Sequence, residues 1–295
     1  MRPTWNTRAA FGIPIPGPRI RIVHAPFTPC GELVEIARVT WNRRMERKLS
    51  RYSSPHYSLT VVPHDETSFN ALYRDGVPML SPTTSFMLRE TRWRGASATL
   101  HVTDVPYPYL YAARKHPFAR QMIGPLLDGA GPLEVRTYAT TIDDKILLSR
   151  PDGMRAYAGL LSGQGRFLDT DDIEDLQRRT TSSNLRVLAH EYSRECAFIG
   201  IINDNDQLGG RATLVGTLPV ALRSDDVKER VLALEPQQRD PSSREVVCAP
   251  GTQDALENYC ASHSFRNAHC PATAGFLSLY RKVLAQQAPS HTRPA

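Results

Sequence analysis

Nowhere in its 295 residues does this chain approach the roughly 18 uninterrupted apolar residues of a membrane-spanning helix. Its N-terminal stretch MRPTWNTRAAFGIPIPGPR also lacks the apolar segment of a secretory signal. The expectation is an intracellular, cytoplasmic setting. Cysteine is scarce and odd in number, at five, which without a secretory signal argues against a disulfide framework. Lysine supplies only five of the 36 cationic side chains, so positive charge rests on arginine. Arginine's planar fork matches phosphate, although a GC-rich coding sequence gives the same bias. Nucleotide-loop and metalloprotease signatures are missing as well. The GQG of LLSGQGRFLD has no third glycine and reads as a turn, and His190-Glu191 has no histidine four residues on.

What remains is an ordinary globular composition, 41% hydrophobic and 22% charged, long enough to bury a substantial core. The net charge of +6 is uneven: residues 1–60 hold ten Arg/Lys against three Asp/Glu, and the remainder is close to neutral. A basic region concentrated in this way implies a polyanionic partner more strongly than a diffuse excess does.

The clearest helix covers 29–52. Thr28 is placed to cap it, Pro29 suits the first helical position because its missing N–H has no intrahelical partner there, and Glu32 and Glu35 favour the positive helix end. At about 100° per residue, Val34, Trp41, Met45, Leu49 and Tyr52 fall on one side, and Arg43, Arg44, Arg47 and Arg51 gather on the opposite arc. Arg43, Arg47 and Arg51 recur every four residues, which stacks guanidinium groups at roughly 6 Å, a layout suited to a phosphate backbone or, equally, to a solvated face. Cys30 lies near the second helical position, where unsatisfied N–H groups favour a thiolate; the alternative is a packed cysteine.

Residues 1–18, with IPIPGP, read as an extended Pro-rich arm. Residues 19–288 read as a single α+β domain with a sub-boundary near 125–132, and 289–295 as a disordered tail. Strands are expected at 19–25, 56–63, 86–92, 98–105, 133–140 and 145–150, with a short helix at 66–74. The proline- and aromatic-rich DVPYPYLYAARKHPF reads as a loop. A helical stretch at 171–193, broken near 180–183, precedes the strongest β signal, CAFIGII with its return strand RATLVGTLPVAL. Helices follow at 225–234, 253–262 and 274–287. These elements imply the α+β class, with a mixed or antiparallel sheet centred on the 196–222 hairpin and packed helices that include 29–52 and 274–287.

Candidate chemistry comes in three sets. Cys248, Cys260, His263, His269 and Cys270 offer thiolate and imidazole ligands at short spacing, from which a structural zinc site on Cys248, Cys260, His263 and Cys270 is the candidate cofactor; the usual C-x2-C pair is missing. His56-Tyr57-Ser58 and His101-Val102-Thr103 are two H-x-[S/T] motifs on expected strands, and the pair resembles the 2H phosphoesterase superfamily. The resemblance implies that His56 and His101 act as acid and base on a phosphodiester. Cys30 with His101 and Asp104 offers a papain-like set if the fold brings them together. HAPFTPCGEL is similar to a zinc-deaminase pattern only superficially, because Pro26 stands where the catalytic glutamate belongs and Leu33 where a second ligand does.

The leading expectation is a nucleic-acid- or polyanion-binding protein that uses Arg43, Arg44, Arg47 and Arg51, helped by Arg38, Arg19 and Arg21. The rival is an enzyme built on His56/His101 or on Cys30. Oligomeric state has no signature in the sequence.

Overall fold

The computed structural model describes residues 5–52, 73–74, 77–78, 84–126, 131–150, 160–168, 171–204, 211–234, 245–262 and 265–287, with the backbone alone at 44–52, 73–74, 77–78, 84, 125–126 and 266–267. In chain order, β1 (Trp5–Pro16) leads through a 3-10 turn (Gly17–Arg19) into β2 (Ile20–Pro26) and the long α1 (Gly31–Tyr52). Two short strands, β3 (Tyr73–Arg74) and β4 (Val77–Pro78), precede the long pair β5 (Thr84–Arg94) and β6 (Ser97–Pro106). Helices α2 (Tyr107–Lys115) and α3 (Pro117–Leu126) lead to β7 (Gly131–Thr140), β8 (Lys145–Arg150) and β9 (Gln164–Phe167). Then come α4 (Ile173–Leu185), a 3-10 turn (Ala189–Glu191), β10 (Ala197–Asp204), β11 (Arg211–Pro219) and α5 (Ser224–Leu232). The chain closes with β12 (Glu245–Pro250), α6 (Gln253–Ala261), α7 (Phe265–Ala268) and α8 (Pro271–Gln287).

The class is α+β, with a ten-stranded mixed sheet whose main path runs β1-β10-β11-β7-β5-β6-β2. The β10–β11 hairpin is interior to it. β11 pairs antiparallel with β10 and parallel with β7, because β8, β9 and α4 lie between β7 and β11 in the chain and return it to the same direction. Two compact units can be distinguished: one comprises residues 1–23, 90–100 and 131–295, the other 24–89 and 101–130.

In the first unit, neighbouring residues of β7 point to opposite faces of the sheet. Tyr138 stacks on Phe276 of α8, with ring centroids 3.7 Å apart, while the Thr137 hydroxyl donates to Gln177 Oε1 of α4 at 2.9 Å. Helices α8 and α4 therefore cover opposite faces. The α8 side holds the larger core, including Ile146, Leu148, Ile202, Val215, Leu256 and Phe276; the other holds Ala139, Leu147, Leu185, Val187, Val220 and Val227. In the second unit, α1 packs with α2 and α3 around Leu33, Ala37, Trp41, Tyr109, Ala112 and Ile123.

Several local expectations shift. The Pro-rich N-terminal stretch is extended, and it forms β1, an edge strand paired with β10. An edge position tolerates Pro14 and Pro16, and a register shift between Ala10 and Ile15 spans Gly12, whose φ of +79° favours glycine. DVPYPYLYAARKHPF is helical rather than a loop. Pro106 and Pro108 sit at the cap and first turn of α2, where no N–H is needed, and Pro117 opens α3. The break in the 171–193 helix comes at Arg186, in the left-handed region at φ 57°, instead of at 180–183; the Thr180 hydroxyl bonds back to Leu176 O inside the intact helix. Helix α1 begins at Gly31, with Val34 N–H donating to Cys30 O, so Thr28 and Pro29 precede it. Its packed stripe is Leu33, Ala37 and Trp41, with Val34 only half-buried. The expected strand at 56–63 and residues 66–72 and 289–295 lie outside the described residues.

Candidate nucleic-acid interface and the buried polar network

Leu33, Ala37 and Trp41 recur at i, i+4 and i+8, and all three are buried, so the first half of α1 is fixed by packing. The Trp41 ring lies edge-on between Tyr107 and Tyr111 of α2, at 5.7 and 5.6 Å, and Phe27, just ahead of α1, meets Tyr109 at 5.2 Å. From this anchor the helix continues unbroken to Tyr52, carrying positions 43, 47 and 51 at one-turn intervals of about 6 Å. Arg43 is exposed and has no carboxylate partner among the described residues; the side chains of Arg44, Arg47 and Arg51 lie outside them. Arg38 is different, since its Nε donates to Glu35 Oε2 at 2.9 Å, and that hydrogen bond holds the Glu35 carboxyl below its ordinary range. Its charge is offset one turn away.

Of the proposed catalytic residues, His56 lies outside the described residues. His101 is half-buried on β6, and Cys30 is exposed just before α1. Asp104 is committed elsewhere: both its oxygens approach His24 Nδ1, at 2.8 and 3.0 Å, and His24 sits edge-on to Phe86 at 4.8 Å. A Cys30–His101–Asp104 set therefore does not form around this carboxylate. The pairing joins β2 to β6, strands whose adjacency is not legible from 80 residues of sequence separation.

The cysteines and histidines of the metal hypothesis are dispersed. Cys248 on β12 packs against the Leu147–Val227 core, and Cys260 on α6 packs against the Phe276 core on the other face. Both nitrogens of buried His269 are used, Nδ1 by Phe265 O at 2.7 Å and Nε2 by the Tyr259 hydroxyl at 2.9 Å. Burial holds the His269 imidazole below its ordinary pKa. His263 lies outside the described residues, among which no three His, Cys, Asp or Glu side chains gather as a metal site would need. The physical reason is the sheet: β12 and α6 deliver their thiols to different layers.

Cys270 belongs instead to a polar network that sequence reading missed. Glu134 and Arg136, two apart on β7, share the α8 face, and Arg136 donates to Glu134 Oε1, to the Ser162 hydroxyl and, at 3.2 Å, to Gly163 O. Arg211 of β11 donates to Glu134 Oε2 at 3.0 Å and lies 5.0 Å over the half-exposed Phe167 ring. The Cys270 thiol lies 3.1 Å from the Thr273 hydroxyl, which accepts from Tyr138 at 3.1 Å. Burial pushes the Glu134 carboxyl up, but the two guanidinium groups outweigh it and hold it below its ordinary range. Burial likewise opposes the Arg136 charge, and Glu134 reverses that effect. The available signal was the alternation itself, since opposite charges at i and i+2 of an otherwise apolar strand must share a face.

The GQG motif is what makes room for this network. Gly163 immediately precedes β9, and Gln164 and Gly165 open that strand, antiparallel to β7, so the motif is not a turn. A Cβ on Gly163 would lie 2.5 Å from Tyr138 Cε1, and one on Gly165 would lie 2.5 Å from Glu134 Oε1. On the α4 face, Gln164 is fully buried, and its side-chain amide has no hydrogen-bond partner among the described residues.

No family model matches the chain, and no curated protein matches it. Among solved structures it is similar to the solution structure of the E. coli ORF135 protein, with 16% identity over 55% of this chain and 96% of that one, at a TM-score of 0.30. It is also similar to the crystal structure of a NUDIX family hydrolase from Clostridium perfringens, with 10% identity over 52% of this chain and 97% of that one, at a TM-score of 0.31. Likeness at this level carries neither family nor activity to this chain. No helix among the described residues is long and apolar enough to cross a membrane.

Proposed function

We propose that this protein binds nucleic acid through phosphate contacts along the second half of α1, made by Arg43, Arg44, Arg47 and Arg51. The observation that carries the reading is the continuity of α1. One helix packs by Leu33, Ala37 and Trp41 and then runs on to Tyr52 with arginines on successive turns, of which Arg43 is exposed and has no carboxylate partner among the described residues. Arginines carried on successive helical turns, about 6 Å apart along the backbone, suit the repeat of a sugar-phosphate chain and read charge, not sequence.

Binding of the full chain to single- and double-stranded RNA and DNA over roughly 50–200 mM salt tests this. Affinity falls linearly with log salt, and replacing Arg43, Arg47 and Arg51 together by Gln weakens it and flattens the slope by about 0.7–0.9 per lost contact. Unchanged affinity and slope in that variant would overturn the reading.

A further inference from the structure

We propose that the corner between α2 and α3 is a second contact surface for the same ligand and selects single strands, with Phe118 stacking on a base while Arg114, Lys115 and Arg120 hold the flanking phosphates. The inference rests on the nucleic-acid reading of α1 and names the strand state that reading leaves open.

Charge is the first support. Residues 105–127 contain no Asp or Glu, and within them Arg114, Lys115, His116 and Arg120 are all exposed. Several other surface arginines are paired with a carboxylate: Arg38 with Glu35, Arg92 with Glu90, Arg150 with Glu245, Arg179 with Asp175. None of Arg114, Lys115 and Arg120 has a carboxylate partner among the described residues, so this corner keeps its full positive field for an anion from outside.

Geometry is the second. Arg120 Nε donates to Ala113 O at 3.2 Å, which brings its side chain back to the last turn of α2, the turn that carries Arg114 and Lys115. Ala119 and Ile123 turn into the core of this unit, which leaves Phe118 on the outer side of α3 with 46% of its surface exposed. An exposed aromatic ring on the helix that follows a cationic turn offers both parts that bind unpaired bases: every base has a face to stack on, and the phosphates on either side meet the cations. A duplex keeps its bases stacked on one another and can use only the cations.

The test uses the full chain with a labelled oligo(U) of about 20 nucleotides and a duplex of similar length. Phe118→Ala and Phe118→Leu, the second keeping apolar bulk without the ring face, each weaken oligo(U) binding roughly 5- to 100-fold and leave duplex binding unchanged. Replacing Arg114, Lys115 and Arg120 by Gln reduces the salt slope on oligo(U). If both Phe118 variants bind oligo(U) like the parent, or lose duplex binding equally, the single-strand inference is wrong while the α1 reading stands on its own variant. If the parent binds neither probe at low salt, both are wrong.

Discussion

Gly163 lies against the Tyr138 ring so closely that a Cβ there would stand 2.5 Å from Cε1 and 2.8 Å from the Thr137 carbonyl oxygen. Neither neighbour can yield, since Tyr138 is stacked on Phe276 and Thr137 is part of the sheet. Gly163→Ala is therefore expected to destabilise the protein by about 1–3 kcal/mol, the range for overpacking a tight core. Gly124→Ala on α3, where a Cβ meets nothing within 4 Å, is the contrast and should be neutral or stabilising by about 0.4–1 kcal/mol. Denaturant unfolding of the two variants checks both signs.

Glu134 bridges Arg136 and Arg211, one carboxylate oxygen to each. Glu134→Gln keeps its shape but leaves the buried Arg136 and the half-buried Arg211 guanidinium groups uncompensated, and should cost about 3–5 kcal/mol. Introducing Arg136→Met into that background should recover part of the loss, because it removes one of the stranded charges. A double-mutant cycle measures this; simple additivity would mean that the two groups are not coupled.

The anchoring of α1 is checked by Leu33→Ala, which removes a fully buried side chain from the core it shares with α2 and α3 and should cost about 2–5 kcal/mol. Val39→Ala on the same helix changes an exposed residue and should stay within about 0.5 kcal/mol. Equal effects from the two would contradict the packed stripe.

His269 gives a pH dependence of known sign. Its folded pKa is lowered, first by burial, with the Phe265 carbonyl opposing, so the unfolded chain binds the proton more readily. The stability that neutral His269 supplies is complete above its unfolded value of about 6.5 and is lost as pH falls towards the folded value. Unfolding curves between about pH 7 and pH 5 should lose stability with acid, by at most roughly 1.4 kcal/mol per pH unit from this one group. In His269→Asn that part of the slope should vanish.

Local periodicity was enough to expect the helix at 29–52, observed at 31–52, the strand at 145–150, the hairpin at 196–222, observed at 197–219, and the α+β class, because burying one face imposes a repeat of two or of 3.6 on the chain wherever the structure goes. Proline misled at DVPYPYLYAARKHPF, where its cost depends on whether it occupies the first turn, and glycine misled at GQG, where its role is to admit Tyr138 and Glu134 from another strand. The arginines at 43, 44, 47 and 51 are spaced by turns of α1, a local pattern whose role is proposed above. Asp104 pairing with His24, Cys248 and Cys260 parting into separate cores, and Glu134 meeting Arg211 were decided only by the tertiary structure. Each depends on which strands become neighbours, and that is settled by the whole sheet closing over its cores, a sum of long-range contacts that no window of sequence contains.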